Sequence, residues 1–357
     1  MKAPDISVIM AVYHGGSCIV PTIESILKQT FSNYEFIIVD DGSTDRTASI
    51  VKSYADKRIR FLKNQNNLGQ TASLNVGLEH ARGEYVARTD AGDLSTPDRF
   101  LRQIRFIEHH PEVDILGTDA FQFDASGKYL RTVSLANDKD IIYQRIFYTT
   151  PVVHVSVLMR RKPVLAIGGY DSRYRVLADY GLWSKALQNG MQFWNLRAIL
   201  TGYIVDSGSF GAVHIAGRSV KEAAMIIQDN AAQFAGVDIS LDEAESIFRF
   251  FVHGPLTFDR INAEQTADLI RRVLSQAGVS EREIDYLLVR TYLKEYITPK
   301  KGCLDYGMVN IGCMLRAIGS RQLHYECLSF LKEKIFRRNA GAAALDQLWS
   351  SSAPANK

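Results

Sequence analysis

The first half of the chain alternates short apolar runs with segments in which apolar residues recur every three or four positions. Apolar runs bounded by turn-forming residues are typical of buried strands, whereas the longer spacing is typical of helices. The pattern predicts strands at residues 7–12, 36–39, 60–62, 84–89, 113–116 and about 153–159. It predicts helices around residues 19–27, 50–54, 74–81, 97–110 and 179–188. The alternation indicates an α/β fold with a mostly parallel sheet flanked by helices.

The pattern changes after about residue 217. Strand signals fade, and helical spacing dominates at residues 220–234, 263–274, 281–296 and 328–336. We therefore predict an α/β domain at 1–216, a helical C-terminal subdomain at 217–349 and a disordered tail at 350–357.

The composition is that of an ordinary globular protein, with 46% hydrophobic and 23% charged residues. A formal net charge of +3 is too small to indicate nucleic acid as a main partner. The N-terminus shows no signal-peptide pattern, and no apolar run is long enough to span a bilayer. Any membrane contact is therefore expected to be peripheral.

The four cysteines show no spacing typical of a paired metal site. They are Cys18, Cys303, Cys313 and Cys327. We expect them to be reduced, buried thiols in a cytoplasmic protein.

The most informative segment is the apolar strand at residues 36–39 and the turn that follows it. Asp40 and Asp41 come directly after the strand, and Gly42 allows a tight turn before the next helix. Ligands of open α/β sheets bind outside the carboxyl ends of the strands, so a nucleotide would lie here. The alternative is a plain strand-to-helix turn with exposed acids, because turns favour Asp, Gly and Ser.

An ordered set of short motifs extends this picture over about residues 5–205. The motifs are Ser7-Val8-Ile9-Met10-Ala11-Val12-Tyr13, Ser25-Ile26-Leu27-Lys28-Gln29-Thr30-Phe31, Asp40-Asp41, Asn67-Leu68-Gly69, Asn75-Val76-Gly77-Leu78, Ala81-Arg82-Gly83-Glu84-Tyr85, Thr96-Pro97-Asp98-Arg99, Gly168-Gly169-Tyr170-Asp171 and Ala178-Asp179-Tyr180-Gly181-Leu182-Trp183. Each motif is weak alone, but together and in this order they resemble the family 2 glycosyltransferases. The resemblance implies the GT-A fold for residues 1–216, a nucleotide-sugar donor, and sugar transfer that is usually inverting.

The resemblance also implies roles in donor binding. Ala11 and Tyr13 would contact the nucleoside, and Asp41, supported by Asp40, would accept a hydrogen bond from the base. Gly69 would let the backbone approach the donor. Asp90 would belong to the same nucleotide-sugar site. The alternative for Tyr13 is simple packing against the sheet.

The metal motif departs from the family pattern Asp-x-Asp-Asp, because the chain has Asp90-Ala91-Gly92-Asp93. Gly92 replaces the residue that usually binds Mg²⁺ or Mn²⁺. Three explanations follow: Asp93 takes over as the metal ligand, arginine or lysine side chains neutralise the diphosphate, or catalysis is impaired. Mg²⁺ needs few protein ligands because it keeps several waters, which favours Asp93.

The resemblance makes Asp179 the catalytic base. The family motif is Glu-Asp followed by an aromatic residue and Asp-Leu-Trp, and here Ala178 and Gly181 replace the two other acids. An inverting transfer needs a base to accept the proton of the acceptor hydroxyl. A helix N-terminus favours the charged carboxylate, and Asp179 could also cap that helix.

Several further residues are weaker candidates. His154 and Trp183 would lie in the acceptor or donor pocket, although a core histidine is an equal alternative for His154. Four cationic residues are candidates for phosphate contact, namely Arg88, Arg99, His214 and Arg218.

The leading hypothesis is an enzyme that extends a surface polysaccharide or a lipid-linked oligosaccharide, and it rests on the resemblance. The basic cluster at residues 332–338 could contact anionic lipid at the inner membrane face, or it could be the solvated face of a helix. The rival hypothesis is a non-catalytic nucleotide-sugar-binding or assembly subunit, which the missing metal ligand would favour. A dehydrogenase is disfavoured because the turn after the first strand lacks the full glycine fingerprint.

Overall fold

The computed structural model describes residues 3–205, 218–252 and 260–297. The chain divides into two compact units, Met1–Phe248 and Arg249–Lys357. The predicted domain boundary at residues 216/217 lies at the end of an undescribed stretch and stays a prediction. The predicted helix at 328–336, the basic cluster at 332–338 and the tail at 350–357 also lie outside the described residues.

Nine strands of the first unit form one sheet in the order β3-β2-β1-β4-β8-β6-β9-β5, with β7 paired to β6. Their bounds are β1 Ile6–Val12, β2 Tyr34–Asp40, β3 Ile59–Lys63, β4 Tyr85–Arg88, β5 Leu94–Ser95, β6 Ile115–Asp124, β7 Tyr129–Val133, β8 Leu158–Arg160 and β9 Phe193–Val205.

The sheet has a parallel half and a mixed half. Strands β3, β2, β1 and β4 are parallel, so their carboxyl ends meet at one edge. Strand β8 runs antiparallel to β4 and β6, whereas β6 and β9 are again parallel. Val8 of β1 lies opposite Phe36 and Ala87, and all three are fully buried. Strands covered on both faces read as continuous apolar runs, which is why the sequence predicts them well.

Helices cover the sheet, most of them at the places that the apolar spacing predicts. In the first unit they are α1 Ile19–Leu27, α2 Thr47–Ser53, α3 Gln70–His80, α4 Arg99–His109, α5 Lys139–Arg145, α6 Arg161–Ala166, α7 Ala178–Gln188 and α8 Arg218–Asn230. Helix α9 Leu241–Val252 spans the division between the units, and α10 Arg260–Gln276 and α11 Glu281–Ile297 follow. The α/β class with flanking helices and a helical C-terminal part is confirmed.

Several segments differ from the sequence prediction, and β5, α5, α6 and α9 are among the elements that it does not contain. Strand β9 is not predicted, because polar residues interrupt its apolar pattern. One of them, Asn195, is fully buried and donates from Nδ2 to the carbonyls of Ala136 (2.6 Å) and Pro151 (3.0 Å). Strand β7 is missed because it lies mostly exposed at the sheet margin. The stretch before β8 forms a short 3₁₀ helix, His154–Ser156, instead of the predicted strand.

Two sequence predictions concern the state of the cysteines and the presence of a membrane-spanning helix. Cys18 forms no disulfide but is exposed, so its predicted burial is wrong; it lies in the short 3₁₀ turn that precedes α1. The other three cysteines lie outside the described residues. Among the helices of the described ranges, none has both the length and the apolar character needed to cross a membrane.

Candidate active site

The first aspartate of the pair closes the turn after β2. Asp40 is fully buried, and its Oδ1 accepts the N–H of Ser43 at 2.9 Å. Its Oδ2 forms no hydrogen bond within the described residues but lies 3.5 Å from the Nζ of Lys63. Asp40 therefore supports the turn, and its part in donor binding stays a prediction.

The second aspartate fixes the loop between β3 and α3. Oδ1 of Asp41 accepts from Asn64 Nδ2 and from the N–H of Leu68, and Oδ2 accepts from the N–H of Gly69, all at 2.8 Å. The residue is only 3% exposed. Asp41 therefore holds the N-terminus of α3 in place, and its predicted contact with a base stays a prediction.

An exposed aromatic residue follows the end of β1. Tyr13 is 49% exposed and stacks on the ring of His14, with 4.0 Å between ring centroids. The N–H of His14 donates to Ser43 Oγ at 2.9 Å, which joins this segment to the paired-Asp turn. Ala11 lies nearby in β1 and is almost fully buried. Tyr13 thus offers a flat apolar face at the carboxyl edge of the sheet, where a nucleobase could stack.

The turn after β4 presents one accessible carboxylate. The side chain of Asp90 is 32% exposed, and its Oδ1 accepts from Gln70 Nε2 at 3.1 Å and from the guanidinium of Arg88. Because Gln70 is the first residue of α3, this contact connects the turn to the Asp41-supported loop. Asp90 therefore lies beside the start of α3, which Asp41 holds in place.

The other carboxylate of this turn faces inward. Asp93 is 6% exposed, and its Oδ2 accepts the N–H of Asp90 at 3.0 Å. Burial and the charge of Asp90 raise the pKa of Asp93 well above its ordinary value. Asp93 thus closes the turn from inside, and its predicted role as a metal ligand stays a prediction.

Gly92 has a backbone conformation that explains why an acid is absent there. Its φ is +97°, a region that L side chains rarely adopt. Its N–H donates to Thr22 Oγ1 of α1 at 2.9 Å, which fixes the turn. A second carboxylate at this position would strain the backbone even though the space is open.

The two predicted phosphate-binding arginines of this region are buried. Arg99 is fully enclosed in the core, where it donates to Gln103, Ser95 and two backbone carbonyls. Burial lowers its pKa to about 9. Arg88 is also buried and donates to the carbonyl of Thr89 and to Asp90. Both guanidinium groups are engaged inside the protein, and their predicted phosphate contact stays a prediction. His214 lies outside the described residues, whereas Arg218 is exposed and pairs with Glu222.

Asp179 lies in the first turn of α7. Its Oδ1 accepts the N–H of Tyr180 at 2.8 Å, so the carboxylate sits against the positive end of the helix. Although its surface is partly accessible, its protein surroundings raise its pKa to about 6. Burial is the largest cause, the helix N–H groups oppose it, and the charges of Asp90 (raising) and Arg88 (lowering) act more weakly. The charge of Asp90 thus acts on Asp179, although more weakly than burial does.

A tyrosine for which the sequence indicates no role links these groups. Tyr170 is buried, its hydroxyl lies 2.8 Å from Nε2 of His154, and burial raises its pKa against the lowering effect of the charge of Arg88. Burial and the charge of Arg88 lower the pKa of His154 well below its ordinary value, so the imidazole is neutral. The Gly168-Gly169-Tyr170-Asp171 motif is the sequence signal that could have identified Tyr170.

Trp183 lies behind this network. It is fully buried and meets His154 edge to face, with ring centroids 5.9 Å apart. Trp183 therefore contacts the site through His154. That both residues line an acceptor or donor pocket stays a prediction. Gly181, the other departure in this motif, packs against the ring of Tyr174, where a Cβ atom would come within 2.3 Å of Cδ2. An acid at 181 would not fit this packing.

The described residues offer little to a metal ion. They contain no group of three or more His, Cys, Asp or Glu side chains that could hold one. Glycosyltransferases of this fold generally use a divalent cation. Mg²⁺ needs only one or two protein carboxylates beside a diphosphate and water. Asp90 fits that lesser role because it is accessible, whereas Asp93 is turned into its own loop.

Comparison with known proteins shows similarity to glycosyltransferases. The family model described as Glycosyl transferase family 2 matches residues 7–168. The chain is 36% identical to EpsE of Bacillus subtilis, which its name assigns to the glycosyltransferases, over 58% of this chain and 76% of EpsE. It is 29% identical to Escherichia coli WfaP, named as a UDP-Glc:alpha-D-GlcNAc-diphosphoundecaprenol beta-1,3-glucosyltransferase, over 58% of this chain and 80% of WfaP.

Solved structures support the same fold. Residues 1–349 of S. aureus TarS, crystallised with UDP-GlcNAc, superpose with a TM-score of 0.55 at 20% identity. The match covers 82% of this chain and 86% of that one. At this identity the likeness shows the fold alone.

Proposed function

This chain belongs to glycosyltransferase family 2, and from that membership we propose that it transfers a sugar from a nucleotide-sugar donor to a saccharide or lipid-linked acceptor, with inversion. The proposal is supported above all by one arrangement. Burial raises the pKa of Asp179, the charge of Asp90 adds to this effect more weakly, and Asp90 contacts the loop that Asp41 holds. A base and a donor-binding edge are thus parts of one site.

In the proposed step, an acceptor hydroxyl oxygen bonds to the anomeric carbon as the bond from that carbon to the diphosphate breaks. The leaving nucleoside diphosphate keeps the electron pair, and Asp179 accepts the hydroxyl proton. With its pKa raised to about 6, Asp179 is still ionised at neutral pH and is a stronger base than an ordinary aspartate. Tyr13 would stack on the base, and the helix N-terminus at Gly69 would approach the donor.

We propose Asp90 as the protein ligand of a divalent cation in this site. When bound, such a cation neutralises negative charge on the leaving diphosphate. Asp90 supports this role by its exposure and by its place between α3 and Arg88. Asp93 would act behind it by fixing the N–H of Asp90.

The acceptor is proposed to be part of surface-polysaccharide biosynthesis. The acceptor in the name of WfaP is a GlcNAc-diphosphoundecaprenol, which supports a lipid-diphosphate-linked saccharide as the first acceptor to test. Peripheral contact with a membrane would bring the enzyme to such an acceptor, and it stays a prediction because the basic cluster at 332–338 lies outside the described residues. The rival idea of a non-catalytic subunit gains no support from relatives that are named as glycosyltransferases.

A donor screen followed by turnover tests the proposal. UDP- and GDP-sugars are compared by thermal shift, since a ligand at 100 times its dissociation constant stabilises by about 2.7 kcal/mol. Release of nucleoside diphosphate is then measured with GlcNAc-diphosphoundecaprenol as acceptor. We expect one donor class to stabilise the protein and to be consumed. Stabilisation by a donor without turnover on any saccharide acceptor would instead support the non-catalytic subunit.

A further inference from the structure

Helix α8 carries a buried carboxylate that binds the segment leading into α7. Glu222 is 4% exposed. Its Oε1 accepts the N–H of Arg175 at 3.0 Å, and its Oε2 accepts the N–H groups of Val176 and Leu177, each at 2.9 Å. Three successive backbone N–H groups thus converge on one carboxylate. Hydrogen bonds to an ionised acceptor are roughly twice as strong as neutral ones.

The start of α7 uses this distant residue because the N-cap position itself offers no side-chain acceptor. The residue before the helix is Leu177, whose side chain cannot accept a hydrogen bond. Glu222 lies 45 positions later in the chain and supplies the missing acceptor. Glu222 also forms an ion pair with Arg218, one turn earlier on α8, with 3.3 Å between Nε and Oε1.

The rest of this segment is held from the opposite side. Asn75 of α3 exchanges two hydrogen bonds with the backbone of Tyr170, at 2.8 and 2.9 Å. Thr71 of α3 donates to the carbonyl of Tyr174 at 2.8 Å. Residues 170–177 are therefore fixed at one end by Asn75 and Thr71 of α3 and at the other by Glu222 of α8.

We propose that Glu222 is a positioning residue for Asp179. The N–H of Leu177 lies two residues before Asp179, so the carboxylate that fixes it also sets the first turn of α7. Misplacement of a reacting group by about 1 Å can cost 10²-fold in rate. Glu222 touches neither donor nor acceptor in this account and acts through the backbone alone. The inference rests on the proposed role of Asp179 as the base.

The test compares Glu222→Gln with a matched control, Glu35→Gln. Glu35 is equally buried and accepts the N–H of Arg82 at 2.9 Å, but it lies near the amino end of β2, away from the site. Both changes keep shape and remove charge, so both should lower the melting temperature. We expect only Glu222→Gln to lower kcat, by at least about tenfold, with the donor KM changed less than about threefold.

A double variant separates positioning from an independent effect. In the Asp179→Asn background, adding Glu222→Gln should leave the residual rate unchanged, because there is no base left to position. If Glu222→Gln fails to fold, Glu222→Asp replaces it, since the shorter side chain keeps its charge but withdraws from the N–H groups. Wild-type kcat in a folded Glu222 variant, or a multiplicative loss in the double variant, would overturn the inference. Absence of turnover in the wild type would instead contradict the proposed function.

Discussion

Asp179 combines the two properties that a general base needs at neutral pH. Its carboxylate is ionised above its pKa of about 6, and the helix N-terminus and the N–H of Tyr180 hold it in one orientation. An aspartate in water titrates near pH 4 and would be a weaker base. Burial, rather than a neighbouring charge, is the main cause of the difference.

This shift predicts the acid side of the pH–rate profile. The base acts only when it is ionised, so kcat/KM, which reports the free enzyme, should be constant above the raised pKa and fall tenfold per unit below it. We expect the midpoint at about pH 6, measured as kcat/KM. If kcat/KM stays constant down to about pH 4, the group that must be ionised has the pKa of an ordinary carboxylate. That result would argue against Asp179 as the base.

The two carboxylates of the turn after β4 should respond differently to substitution. We expect Mn²⁺ to increase the thermal shift produced by the donor, and Asp90→Asn to remove that increase, because Asp90 is the proposed ligand and its side chain is accessible. Asp93→Asn should retain it, since this side chain faces its own loop. Loss of the Mn²⁺ effect in Asp93→Asn but not in Asp90→Asn would instead support Asp93 as the metal ligand, as the sequence predicts. No Mn²⁺ effect in the wild type would favour cationic side chains as the neutralising groups.

At the scale of elements, the site depends on side chains that join the ends of strands and helices. Asp41 joins the end of β2 to the start of α3, Thr22 joins α1 to the turn after β4, and Glu222 joins α8 to α7. Each is buried, and each binds backbone groups rather than solvent. The donor edge is therefore organised by carboxylate and hydroxyl contacts to loops.

Asp41→Asn should show this organising role. The amide would place its NH2 donor against the N–H of either Leu68 or Gly69, which bond different oxygens of Asp41, and leaving such a group unpaired costs about 1–3 kcal/mol. We expect lower stability together with weaker UDP binding, measured by chemical denaturation and calorimetry. Asp56→Asn is the control, because Asp56 also accepts a backbone N–H, from Arg58, but in the turn before β3.

The balance of the two effects identifies how Asp41 acts. Weaker UDP binding with unchanged stability would mean that Asp41 contacts the base directly, as the sequence predicts. Unchanged binding and unchanged stability would remove the paired-Asp turn from the account.

At the scale of the whole molecule, the sequence predicts the parallel half of the sheet well and the rest less well. Strands β1 and β2 are apolar throughout, so local pattern is enough to find them. Strand β9 is missed because its polar Asn195 is buried in the fold, where its Nδ2 donates to the carbonyls of Ala136 and Pro151, which are distant in sequence. Short-range pattern cannot reveal a polar residue whose partners come from elsewhere in the fold.

The same limit applies to the site. The motifs identify Asp179 and the paired aspartates, because turns and helix starts leave local signals. They do not reveal that Asp93 faces inward, that Arg99 lies in the core, or that Glu222 caps α7. These facts depend on which elements pack together, and a single sequence does not contain that information in local form.

The most direct test of the account is nucleoside diphosphate release by wild type and Asp179→Asn, with donor affinity measured in parallel. The substitution keeps the shape of the side chain and removes the base. We predict that donor affinity changes little while transfer falls by about 10²–10⁴-fold, the usual contribution of general-base catalysis. Transfer at the wild-type rate by a variant that binds donor normally would contradict the central claim that Asp179 accepts the acceptor proton.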